Sequence, residues 1–100
     1  MKEIIAVLTQ KGSLSNGIQE NTTVNLFEVE NEKVKGVESV KLENTETLYV
    51  SMFMALKKVT RIYAETINNE LDHLLSLIGI SILCRDDLEN DTFIQQFVFE

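Results

Sequence analysis

The chain has one cysteine and one histidine in 100 residues. One cysteine excludes an internal disulfide and leaves no quartet of ligands for structural zinc. It fits a reducing compartment, so a cytoplasmic location is expected. One histidine leaves little room for a serine–histidine–acid triad. Basic residues are also scarce: nine Lys and Arg stand against sixteen Asp and Glu, a net charge of −7. Phosphate backbones attract clustered Lys and Arg, so no nucleic-acid partner is expected. The densest basic group, Lys57, Lys58 and Arg61, reads as a response to the dipole at a helix end. No apolar run approaches the roughly 20 residues of a spanning helix, so no membrane association is expected. The opening residues Met1 to Leu8 are too short an apolar run for a signal peptide.

What is present is an ordinary globular composition, 44% hydrophobic and 25% charged. One hundred residues are expected to form a single domain over 1–100, long enough to bury a core without staples. Ile4 to Leu8 is a continuous apolar run, the pattern of a central strand covered on both faces. Lys11 to Gly17 holds two glycines and reads as a loop. Thr23 to Glu30 and Val34 to Leu42 are β-rich runs joined at Asn31-Glu32, a hairpin pattern, with a bulge expected near Gly36-Val37.

Glu43-Asn44-Thr45 supplies helix-capping candidates. Leu48, Met52, Ala55, Leu56 and Val59 then define a helical face, taken here as the one that meets the sheet. Val50 and Met54 fall on the opposite side, an apolar surplus that invites a partner. Val59 to Ala64 reads as a short strand. Asn68 caps a second helix with Glu70 and Asp72 in its first turn and Leu71, Leu74, Leu75 and Ile78 on its apolar face. Gly79 ends it, and Ile80 to Cys84 is the last strand. The order βββαβαβ predicts an α/β fold: a mixed sheet of about five strands flanked by helices, with its last strands parallel. Residues 87–100 form a C-terminal extension with an apolar tail.

Three stretches resemble a known family. They are Ile4 to Val7, Leu26 to Glu38, and Leu71, Leu74 and Leu75 with Gly79 to Leu83. Over residues 3–86 the chain is similar to the dinitrogenase iron–molybdenum cofactor biosynthesis domain of nitrogenase accessory proteins. The resemblance implies a ribonuclease-H-like arrangement and the binding of an iron–molybdenum cofactor or its precursor. The family's Ser-x-His-Phe-Gly-Arg segment, however, is here Ser15-Asn16-Gly17-Ile18-Gln19-Glu20. Gly17 stands where the His would be and Glu20 where the Arg would be. Imidazole and thiolate are natural ligands of iron clusters, and Arg holds anions by charge-assisted hydrogen bonds.

The site candidates follow from these patterns. Gly12, Ser13, Ser15, Asn16 and Gly17 form a candidate ligand loop whose N–H groups could cradle an anion. Cys84 sits at a strand carboxyl end, where open α/β sheets place ligands, and is a weak metal candidate. His73 reads as a surface residue. Asp86, Asp87, Glu89 and Asp91 read as a solvated acidic segment. Tyr49, Val50, Phe53 and Met54, with Phe97 and Phe99 of the tail, form a candidate interface; either the tail covers this helix or a homodimer or other protein partner does. No constellation of side chains suggests catalysis, so a non-catalytic binding module is expected, and a cofactor-free interaction protein is the alternative.

Overall fold

The computed structural model describes residues 2–11, 13–84 and 91. The chain runs β1 (Lys2–Gln10), β2 (Ser13–Leu14), β3 (Thr23–Glu30), β4 (Lys33–Lys41), α1 (Thr47–Leu56), β5 (Arg61–Ala64), α2 (Asn69–Leu77) and β6 (Ser81–Cys84). The main path of the sheet is β4-β3-β1-β5-β6, and β2 pairs with the end of β1. The mixed sheet is therefore as expected, with a sixth, two-residue strand inside the stretch read as a loop.

Ile5 to Leu8 are all buried, which fits a central strand whose two faces are both covered. Strand β1 pairs antiparallel with β3 from Lys2 to Thr9 and parallel with β5 from Ile5 to Val7. Asn31 and Glu32 both adopt positive φ, the geometry of a two-residue turn whose twist matches the strands it joins. The bulge appears where β4 passes from Val34 to Gly36 opposite Val29 and Glu28.

Both helices lie on one face, because Val50 and Met54 of α1 and Leu71 and Leu75 of α2 share a core cluster with Ala6, Leu8, Leu26 and Ile62. The topology requires this. The crossovers β4-α1-β5 and β5-α2-β6 advance in the same direction across the sheet, and right-handed crossovers that keep direction keep to one side. The other face carries a second cluster, Ile5, Val7, Phe27, Val29 and Tyr63.

The orientation of α1 is a correction. Val50 and Met54 are 1% and 0% exposed, core residues rather than an interface. Leu48, Met52 and Leu56, expected to face the sheet, are 65%, 60% and 79% exposed. Both stripes are apolar, so helical periodicity could not choose between them. Phe53 packs partly buried against the core, and Tyr49 lies at the boundary of exposure. The N-cap is Glu46, without a side-chain cap bond, while Asn44 Oδ1 accepts from the Glu46 N–H at 2.8 Å. At α2 the Asn68 cap forms as expected, accepting from Leu71 N–H at 2.8 Å. Gly79 ends that helix at φ 84°, a left-handed position that glycine adopts without strain. Ile78, expected on the buried face of α2, is 52% exposed, because the helix ends before it.

Candidate functional site

The loop between β1 and β3 folds back over the carboxyl ends of β1 and β5. Ser15 N–H donates to the Leu8 carbonyl at 2.8 Å, and the Ser15 carbonyl accepts from Glu65 N–H at 2.9 Å. Asn16 forms a parallel bridge with Thr66. Gly17 N–H donates to the Thr66 carbonyl at 2.9 Å, with Gly17 at φ 70°. The loop thus occupies the place where an α/β sheet is expected to hold a ligand.

Ser15 and Thr22 are turned inward, while Lys11, Ser13, Asn16, Gln19, Glu20 and Asn21 are exposed. Ser15 is buried, and its hydroxyl donates to the Gly17 carbonyl. Asn16 N–H donates to Gln10 Oε1 at 3.4 Å. Gln10 Nε2 donates to Thr22 Oγ1 at 2.9 Å, and the same hydroxyl accepts from Gln19 N–H at 2.9 Å. The N–H groups of Ser15, Asn16 and Gly17, expected to face an anion, are all bonded within the protein. These three donors therefore brace the loop against Leu8, Gln10 and Thr66 instead of facing an open cradle. Ser13 is the first residue of β2 and pairs with Gln10. Gly12 lies outside the described residues. Gln10 and Thr22 organise the loop, two polar side chains at the strand ends that flank it.

Glu20 of the same loop lines an open cleft of about 650 Å³ with the segment from Lys41 to Glu46. Three carboxylates line it, yet no cluster of three His, Cys, Asp or Glu side chains that could hold a metal occurs among the described residues. His73 is exposed, as expected, and Cys84 is half-buried at the end of β6. The described residues of the loop offer hydroxyl, amide and carboxylate groups and the Lys11 ammonium, and no thiolate, imidazole or guanidinium. That donor set does not fit an iron–molybdenum cluster.

A second polar group lies on the face away from the helices. Arg61 Nη1 donates to Tyr63 Oη at 2.9 Å, and Tyr63 Oη donates to Asp91 Oδ2 at 2.7 Å. Arg61 Nη2 forks to the Glu3 carboxylate at 3.2 and 3.3 Å. Arg61 therefore serves the sheet rather than a helix end. Asp91 is likewise no solvated acid, its side chain being 13% exposed; Asp86, Asp87 and Glu89 lie outside the described residues. Burial pushes the Tyr63 phenol up to about 12, with the proton also held by the bond to Asp91 and opposed by Arg61. Lys57 pairs with Glu38 at 3.3 Å.

The remaining feature is the outward face of α1. Leu48, Met52 and Leu56 recur every fourth residue and form one stripe, opposite the buried Val50 and Met54. The tail residues Phe97 and Phe99 of the expected interface lie outside the described residues.

No protein-family model matches the chain, and no curated protein matches it. Solved structures do. One is a "putative dinitrogenase" from Methanocaldococcus jannaschii, with a TM-score of 0.68 and 14% identity over 85% of this chain and 77% of that one. Another is the protein PH0822, with a TM-score of 0.67 and 18% identity over 84% of this chain and 76% of that one. At these identities the likeness is one of fold: a small α/β module.

Proposed function

We propose that this chain is a non-catalytic cytoplasmic binding module whose working surface is the outward face of α1. The observation that supports it is the stripe of Leu48, Met52 and Leu56. Three large apolar side chains on one helix face make a patch on the order of 400 Å², comparable to the largest apolar patch of a typical monomer, which is often functional. Retaining it in water is unfavourable by about 25 cal/mol for each Å² that a partner would cover. A helix presenting apolar residues at every fourth position offers a ridge suited to another helix or an apolar groove.

A photo-crosslinking side chain at position 52, read in growing cells, tests this. We expect adducts of discrete mass from position 52 and none from position 35, an exposed site on the edge strand. A chain that yields no adduct from position 52 would sink the reading.

A second reading rests on the fold shared with the Methanocaldococcus jannaschii structure. There the module descends from iron–molybdenum cofactor carriers, and the loop from Gln10 to Thr22 is the diverged ligand loop. The internally bonded N–H groups and the donor set of that loop weigh against it, and the apolar stripe needs no cofactor.

A further inference from the structure

We infer that the occupant of the α1 face is a second copy of this chain, paired helix to helix and antiparallel about Met52. The inference rests on the reading of that face as a contact surface and adds the partner and its geometry.

The stripe is self-complementary. An isologous contact requires that the same patch meet itself, each residue finding its symmetry partner. Leu48 and Leu56 lie four residues before and after Met52. In an antiparallel pair with its two-fold axis at Met52, Met52 meets Met52 and each Leu48 meets the other copy's Leu56. Tyr49 and Ala55 flank the stripe on either side. Val50 and Met54, on the far side of each helix, stay in their own cores.

Charge selects the direction. The start of α1 is acidic, with Glu43 and Glu46, and its end is basic, with Lys57 and Lys58. Antiparallel pairing sets the acidic end of one helix beside the basic end of the other and opposes the two helix dipoles. Parallel pairing would set like charges together. Among the described residues Glu46 and Lys58 have no ion-pair partner within the chain, and Lys57 is held by Glu38.

Area sets the strength. Two stripes with their flanking residues bury roughly 1,000 Å² in total, the low end of specific interfaces. Each copy carries a net charge of −7, which opposes association at low salt and is screened within about 8 Å at physiological ionic strength. The pair is therefore a weak, concentration-dependent dimer rather than an obligate one.

Sedimentation equilibrium of the full chain over a wide concentration range tests this. We expect a reversible monomer–dimer equilibrium, weakened at least tenfold by Met52→Asp with an unchanged circular dichroism spectrum. A short bis-maleimide should couple Met52→Cys to itself in a Cys84→Ala background. Leu48→Cys alone should couple poorly, and a mixture of Leu48→Cys and Leu56→Cys chains should couple well. A wild type that stays monomeric at every concentration overturns the self-pairing and leaves the contact surface to the photo-crosslinking test. A dimer indifferent to Met52→Asp, or one that couples best through Leu48→Cys alone, overturns the register and with it this inference.

Discussion

Glu32 and Tyr63 show how single residues tune this fold. Glu32 sits at φ 66° in the hairpin turn, a left-handed conformation that costs a side-chain-bearing residue about 1 kcal/mol. Glycine has no such cost, so Glu32→Gly should stabilise the chain by about 0.5–1 kcal/mol, read as a higher urea midpoint with an unchanged slope. Tyr63 holds its proton to about 12 in the folded state, against 10.0 for an ordinary phenol. Its contribution is therefore full below pH 10 and is lost as pH rises towards 12, because the unfolded chain ionises first. Tyr63→Phe should cost about 1–3 kcal/mol at neutral pH by stripping Asp91 of a donor and Arg61 of an acceptor. In denaturant titrations across pH 9 to 12, the variant should lose less stability with rising pH than the wild type; equal losses would remove Tyr63 from the alkaline transition.

At the scale of elements, α1 and α2 differ in how much the sequence reveals. In α2 the polar positions are charged enough to mark one face, and Asn68 and Gly79 mark the ends, so Leu71 and Leu75 are legible as core. In α1 the residues from Thr47 to Leu56 carry no charge at all. Two apolar stripes compete, and the wrong one looks better by spacing. The prediction at this scale separates them. Met54→Asp should cost about 4 kcal/mol or more and abolish cooperative unfolding at ambient temperature, since it buries a carboxylate among Val50, Leu71 and Leu75. Met52→Asp should shift the thermal midpoint of dilute monomer by no more than a few degrees. Equal effects of the two changes would refute the observed orientation of the helix.

For the whole molecule, the sheet order and the right-handed crossovers place both helices on one side and leave the cluster of Ile5, Val7, Phe27, Val29 and Tyr63 on the other. The loop from Gln10 to Thr22 fills the position above the carboxyl ends of β1 and β5 with its own hydrogen bonds. A cluster-binding role would need that brace to open. Protein purified from anaerobically grown cells should therefore be colourless, with iron and molybdenum far below one atom per chain by elemental analysis. Stoichiometric metal would restore the cofactor-carrier reading.

The sequence by itself determined the order of the longer elements, the central strand, the hairpin turn, the α2 cap and the fold class, but not the two-residue strand β2. Each is set by short-range physics: apolar periodicity, turn chemistry and the preference of a capping side chain for free N–H groups. Only the tertiary structure decided which face of α1 is buried, that Arg61 and Asp91 meet at Tyr63, and that the N–H groups of Ser15, Asn16 and Gly17 bond to Leu8, Gln10 and Thr66. Those choices join residues far apart in the chain, where spacing is silent and the cost of leaving apolar area or polar groups without partners settles the outcome.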